Sequence, residues 1–210
     1  MNSGIQKLEE LMDTRIIIKN LVYIIGQSPI LANKDKLSKY EYLGQYGTIL
    51  KIETNIKNQN NRYGPLYSVY VTFSKPSEAS IALLSLDDQI IDNHLIRASF
   101  VTTRYCSKFL KGVECNNKEC LFLHQRAPEN DIIKRGNLSI LIHQHNEAMN
   151  IANIYNPEVK KRIMSSKKGK TVFPSPDTIY KTNPLIKIKI NNSEKIESQK
   201  LESEMTNKEE

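Results

Sequence analysis

The chain has 210 residues, with 30 Lys and Arg against 23 Asp and Glu, a formal net charge of +7 and no Trp. That length suits one ordinary domain with small modules or tails, and a hydrophobic content of 39% is modest for a single core spanning all of it. A basic balance favours polyanionic partners such as nucleic acid. The opening MNSGIQKLEELMDTR is polar rather than signal-like, and no apolar stretch reaches the roughly 18 residues of a membrane span. The expectation is a protein of the cytoplasm, the nucleus or both, with no membrane partner.

Residues 1–13 place Ile5, Leu8, Leu11 and Met12 at helical spacing. This short amphipathic helix either packs on the next domain or is the stub of a coiled coil. From Arg15 the pattern turns β-branched, and Arg15 to Leu21 reads as a strand. Asn33 or Asp35 can cap a helix over Lys36–Gln45 with Leu37, Tyr40 and Leu43 inward, and Gly47 ends it. Ile49–Thr54 reads as a second strand, and Ile56–Pro65 as a long polar loop. In Leu66–Phe73 the pattern alternates, with Val69, Val71 and Phe73 on one face and Ser68, Tyr70 and Thr72 on the other. Pro76 opens a second helix with Ala79, Ala82, Leu83 and Leu86 on one side, Asp92-Asn93 turns the chain, and Leu95–Phe100 is a fourth strand. The order βαββαβ over residues 14–101 predicts an α+β, ferredoxin-like domain whose sheet keeps one open face.

All three cysteines fall in residues 102–126, as Cys106-x8-Cys115-x4-Cys120-x3-His124. Three thiolates and an imidazole form a complete tetrahedral ligand set for zinc, closed to substrate and hence structural. A loop this short cannot bury a core, so the metal must fold it, with a binding energy of ~10–16 kcal/mol. Gly112 sits where the loop turns, and Phe109 and Phe122 flank the ligands where rings can stack on bases.

Residues 127–156 fit a further helix, centred on Asn137–Tyr155 with a moderate apolar stripe, on which His143 and His145 are expected at the surface and not as ligands. Residues 157–210 read as a basic linker, with Lys160, Lys161, Arg162, Lys167, Lys168 and Lys170, running into a mostly disordered tail. Within that tail the strand-like IKIKI could add to a partner's sheet edge.

The cysteine-histidine spacing resembles the CCCH zinc fingers, which bind single-stranded RNA by hydrogen bonds to base edges and by aromatic stacking. Ile16-Ile-Ile-Lys-Asn-Leu21 and Leu66-Tyr-Ser-Val-Tyr-Val-Thr-Phe73 resemble the first- and third-strand signatures of an RNA-recognition motif, or RRM. In RRMs that bind RNA, aromatics stand on the open face at positions matching Ile17, Ser68 and Tyr70 here. The resemblance therefore leaves Tyr70 as the stacking residue and Ser68 beside it, with Lys19, Lys51 and Arg97 on or beside the same face to contact phosphates. The join of the modules, T-T-x-Y-C-x-x-F-L, is similar to that of the RING-bearing, Not-four-type subunit of the CCR–NOT complex, over Arg15 to about His124.

That resemblance implies an RNA-binding protein of mRNA turnover or translational control. Its expected partners are single-stranded RNA, and CCR–NOT subunits or a separate RING protein. The family's ubiquitin-ligase activity resides in a RING, which needs two four-ligand zinc sites. Only residues 1–13 precede the RRM here and no cysteine is spare, so no enzymatic activity is expected. Two alternatives stay open. One is a protein-interaction scaffold with a degenerate sheet face. The other is the remainder of a RING ligase whose RING is missing or separately encoded.

Overall fold

The computed structural model describes residues 11–12, 14–58, 64–133, 140–165 and 171–182. Strands β1 (Arg15–Gly26), β2 (Ile49–Lys57), β3 (Leu66–Phe73), β4 (Gln89–Ile91) and β5 (His94–Thr103) form an antiparallel sheet in the order β2-β3-β1-β5-β4. A two-residue strand, β6 (Ile132–Ile133), pairs with the start of β1. β4 is additional to the expected strands. It forms a hairpin with β5 through Asp92 and Asn93, both at positive φ, which gives the connection the twist a two-residue turn needs.

β1 runs five residues beyond Leu21, and the extension changes its register. Ile16–Ile18 pair with Val101–Thr103, Val22–Gly26 pair with Ile96–Phe100, and Lys19, Asn20 and Leu21 bulge between the two runs. Val22 and Ile24 then face the core together with Val69, Val71, Ala98 and Phe100. Ile17, expected on the open face, is buried in that core. The open-face position is taken by Tyr23, directly opposite Tyr70.

The helix expected over Lys36–Gln45 is broken. Instead there are a 3-10 turn (Pro29–Ala32), a short α1 (Lys34–Leu37) capped by the Asn33 side chain on the Lys36 N–H at 2.9 Å, and a π turn over Tyr40–Gly44. The cause lies far along the chain. The Glu41 carbonyl accepts from the N–H groups of Val172 and Phe173 at 2.8 and 3.1 Å, so it is not available for the next helical turn. Leu37 and Leu43 still face inward, but Tyr40 is exposed.

Helix α2 (Pro76–Leu86) begins with Pro at its first turn, and the Glu78 carboxylate accepts from the Lys75 N–H and the Ser74 hydroxyl. It packs across β1 and β5 with Ala79, Ala82, Leu83 and Leu86 buried. A second helical layer lies against it. α4 (Ile140–Ile151) buries Ala148 and Met149 beside α2, while α3 (Ser107–Leu110) belongs to the cysteine-rich segment. His145 is not a solvated surface residue, because its Nε2 lies 3.3 Å from the Asp87 carboxylate at the end of α2.

Residues 157–165 and 171–182 depart furthest from the expected linker. Pro157–Ser165 is a helix, α5, with Val159 and Ile163 inward. Phe173 is 1% exposed and meets the Tyr42 ring edge-on at 5.4 Å, and α6 (Ile179–Thr182) follows a 3-10 turn over Pro176–Thr178. Lys160, Lys161 and Arg162 are exposed around an apolar seam that composition alone hid, while Lys167, Lys168 and Lys170 lie outside the described residues. The expected N-terminal helix is described only at Leu11–Met12, which are helical, while the IKIKI segment and the final twenty residues lie outside the described residues. Among the described residues no helix is long and apolar enough to cross a membrane.

Removing the Phe173 ring should show that this segment is core. Phe173→Ala is expected to lower unfolding stability by about 3 kcal/mol, as for other buried aromatics. Leu50→Ala, on a residue 64% exposed, should change it by less than about 0.5 kcal/mol. Urea titration followed by circular dichroism measures both.

Candidate metal centre and nucleic-acid face

β5 carries the chain from the sheet into the cysteine cluster without a flexible joint. Beyond Thr103 the strand continues as a parallel bridge between Tyr105 and Leu123. Cys106 N–H donates to the Leu123 carbonyl at 3.0 Å, Leu123 N–H donates to the Arg104 carbonyl at 2.9 Å, and the Tyr105 hydroxyl accepts from Ala127 N–H at 3.0 Å. Gly112 turns the intervening loop at φ 69°, a conformation that favours glycine.

This scaffold brings the Sγ atoms of Cys106, Cys115 and Cys120 and a ring nitrogen of His124 within 4.8 Å of one another. Tetrahedral thiolate ligands about 2.3 Å from one ion stand roughly 3.8 Å apart, so the four residues can hold a metal ion with small adjustments. The electrostatics fit the same use. Backbone N–H groups of Phe109 and Lys108, with the thiols of Cys115 and Cys120, hold Cys106 down at about 6 against the opposing effect of burial. The Phe122 N–H pulls Cys120 down, but burial and the neighbouring thiols of Cys115 and Cys106 outweigh it and raise Cys120. One thiolate is accommodated by the backbone, and a second is resisted by the first until a cation arrives.

The aromatic rings near the cluster divide into two kinds. Phe109 is stacked on Tyr105 at 6.1 Å and meets the His124 ring edge-on at 6.4 Å, so it supports a ligand and is not a free platform for bases. Phe122 is 51% exposed and neighbouring Leu121 is 90% exposed. Phe122 therefore remains open to a partner.

On the open sheet face Tyr23 and Tyr70 lie side by side, with ring centroids 4.9 Å apart and planes tilted by 43°. Burial holds the Tyr23 phenol above its usual range, although a hydrogen bond with Ser68 opposes this. Tyr23 was not among the residues expected from sequence. The Asn20-Leu21 signature drew attention to Ile16–Leu21, whereas the alternation of Val22 and Ile24 against Tyr23 and Ile25 carried the true register. Ser68 stands where expected, opposite Ile25.

The three cations expected to contact phosphate are engaged in the protein. Lys19 Nζ, in the β1 bulge, lies 2.6 Å from Asp131 and 3.0 Å from Glu147 of α4. Burial pulls its pKa down, but hydrogen bonds and charge from those two acids outweigh it and hold the ammonium above its ordinary range. Arg97 reaches Asp87 at 3.0 Å and Asp88 at 2.7 Å. Lys51 pairs with Glu53 at 2.7 Å, but both are exposed, so this pair is screened by solvent and readily opened. Lys19 and Arg97 are thus ties between elements, and Lys51 alone of the three stands as a loosely held cation.

The order β1-helical segment-β2-β3-α2-β5 with the tyrosines on the open face defines an RRM-type domain, and the cysteine-histidine cluster is compatible with a small zinc finger fused to its last strand. Two known proteins are similar over much of this chain. The chain is 37% identical over 142 residues to general negative regulator of transcription subunit 4 of Saccharomyces cerevisiae, a match covering 62% of this chain and 24% of that protein. It is 32% identical over 183 residues to a general negative regulator of transcription of Schizosaccharomyces pombe, covering 86% of this chain and 35% of that protein. These matches bear out the resemblance to the RRM region of the Not-four-type CCR–NOT subunit, and the chain spans about a third or less of the length of either relative. Similar solved structures include the third RRM of Mip6 (18% identity, TM-score 0.32, 39% of this chain and 92% of that one) and the SXL-lethal protein/RNA complex (22% identity, TM-score 0.30, 41% and 50%). No protein-family model matches the chain.

Two measurements follow. Elemental analysis of the purified chain should give one metal ion per molecule, and Cys115→Ser should remove it. Full metal content in that variant would refute the ligand set. Lys19→Met leaves two poorly hydrated carboxylates without their cation and should lower stability by about 2 kcal/mol, below the figure for fully buried pairs because Lys19 is partly exposed. A free phosphate-binding lysine would leave stability unchanged.

Proposed function

We propose that this chain is a zinc-dependent, non-enzymatic binding protein for single-stranded RNA that acts in mRNA turnover or translational control. The observation that carries the reading is the Tyr23–Tyr70 pair, half-buried on the open face of an RRM sheet whose last strand continues directly into the cysteine cluster. Tyrosine rings on an open sheet offer bases a π-face, and Phe122 on the adjoining loop offers another. Three thiolates and an imidazole suit zinc, and four protein ligands close the site, which makes its role structural. Lys51 supplies positive charge at the edge of the platform.

Homology to the subunit-4 regulators supports partnership with CCR–NOT subunits in the nucleus or cytoplasm, with a separate RING protein as a further candidate. Ligase activity is not part of the proposal. The three cysteines and four histidines of the sequence cannot fill the two four-ligand sites of a RING in addition to the cluster described. An autoubiquitination assay with a generic conjugating enzyme should therefore show no product from this chain alone.

A second reading has its own support. Glu53 lies opposite Tyr70 on β3, and Lys19 and Arg97 are neutralised by acids. A face with so little free positive charge also suits a protein partner. Fluorescence anisotropy with mixed-sequence RNA at two salt concentrations separates the readings. Tyr23→Ala, Tyr70→Ala and Phe122→Ala should each weaken binding roughly five- to hundredfold. Lys51→Gln should flatten the salt dependence by up to about one unit of slope. Tyr40→Ala, on the helical side, should do little. If affinity is insensitive to all three aromatic changes, the protein-partner reading replaces this one.

A further inference from the structure

Beside the tyrosine pair lies a cleft of about 420 Å³, lined by Tyr23, Tyr70, Ser99, Arg15 and Ile133 and, from α4, by Gln144. Its size falls within the range of about 300–1,000 Å³ usual for small-molecule sites. Gln144 is only 4% exposed. Its Oε1 accepts from the buried N–H of Phe100 at 3.1 Å. A backbone N–H can only donate, so the oxygen of the amide is committed to β5 and the orientation of the group is set by that bond. The other end, Nε2, carries two N–H donors, and among the described residues it donates to no protein acceptor. A nine-tenths-buried amide with idle donors beside two aromatic rings is what a site for a flat ligand bearing acceptors looks like before the ligand arrives.

We propose that this cleft receives one nucleobase of a single-stranded RNA and that Gln144 reads its edge, which makes Gln144 a specificity-determining residue contributed by the second helical layer. This rests on the RNA-binding reading above. The chemistry also says which bases fit. A glutamine that reads adenine does so bidentately, donating and accepting at once. Here the Phe100 N–H takes one lone pair of the oxygen and holds that end of the amide against β5, so the N–H donors are the end left to meet a base. That end donates, which suits a base that presents carbonyl oxygens. Uracil, with two carbonyls, is favoured over adenine, whose exocyclic group is itself a donor. Tyr23 and Tyr70 supply stacking that every base shares, so the aromatic pair sets affinity and the amide sets preference.

The test uses the intact chain and fluorescein-labelled eight-nucleotide oligo-U and oligo-A. The wild type should bind oligo-U roughly tenfold more tightly, the discrimination expected of one well-placed base-edge contact. Gln144→Glu keeps an oxygen for Phe100 but replaces the donors with an acceptor, and should abolish or invert that preference. Tyr70→Ala should weaken both oligonucleotides and leave their ratio alone. Because the glutamate variant could fail to fold, the wild type supplies an independent readout. In ¹⁵N-labelled protein the Gln144 side-chain amide resonances should shift on titration with oligo-U and stay in place with oligo-A at equal occupancy. If both oligonucleotides bind, Tyr70→Ala weakens them, and yet the wild type shows no preference or the amide does not move, the role of Gln144 is overturned while RNA binding stands. If neither oligonucleotide binds, the RNA reading falls and takes this inference with it.

Discussion

The interruption in β1 is the constraint on which the rest of the molecule depends. Three residues, Lys19, Asn20 and Leu21, have no partner in β5. An insertion of this length turns the strand and frees its backbone locally, at the cost of ladder hydrogen bonds. Those groups and side chains are taken up elsewhere. Asn20 donates to the Phe73 carbonyl at the end of β3, and Lys19 joins Asp131 and Glu147. The ammonium thereby connects three separate stretches, namely the central strand, the exit from the cysteine cluster and helix α4. Because the side-chain period of a strand is two, the odd number of bulged residues also decides which side chains face outward in the second half of β1. Val22 and Ile24 go to the core, and Tyr23 goes to the open face beside Tyr70.

The second helical layer solves a different problem, that of the sheet edge. β4 covers only the first three residues of β5, leaving the outward N–H groups of Ala98 and Phe100 unpaired by any strand. Side chains satisfy them instead. Asp87, at the end of α2, accepts from Ala98, and Gln144 of α4 accepts from Phe100. An uncovered edge would be a template for pairing with another chain. The same carboxylate of Asp87 holds Arg97 and meets His145, which draws α2, β5 and α4 together at one point. Residues that read in isolation as candidate phosphate contacts are consumed in building this edge.

How much of this could be read from the sequence depends on whether the signal was local. The alternation in Leu66–Phe73, the apolar stripe of α2, the Asp92-Asn93 turn and the cysteine spacing are local patterns, and the structure places each as the pattern implies. The misread elements are those decided by distant partners. Tyr40–Gly44 has helical spacing, but the Glu41 carbonyl is claimed by residues more than one hundred positions away. Pro157–Ser165 looks like a charged linker because lysines and an arginine outnumber its two buried residues, Val159 and Ile163, yet those two sit one helical turn apart and are enough to dock it. The register of β1 was ambiguous for a physical reason too. The apolar residues on either side of Lys19-Asn20 do not share one alternation, and the bulge between them decides how the two halves of the strand join.

The cysteine cluster closes the chain of dependence back to the sheet. Phe109 and Lys108 offer backbone N–H groups to Cys106 because Cys106 stands at the N-terminus of the turn Ser107–Leu110, where such donors have no helical partner. The same arrangement that lowers Cys106 makes it difficult for Cys120 to lose its proton as well. A cation offsets the repulsion, and because each thiol must give up its proton to bind it, metal affinity weakens as the pH falls. Leu123 lies between two of the ligands and is also the residue bridged to Tyr105, so the loop that holds the ion is the loop that extends β5. The loop that would hold the ion therefore also sets where Phe122 stands, whereas the core beneath the sheet is built from residues outside it, such as Val22, Val71 and Leu83.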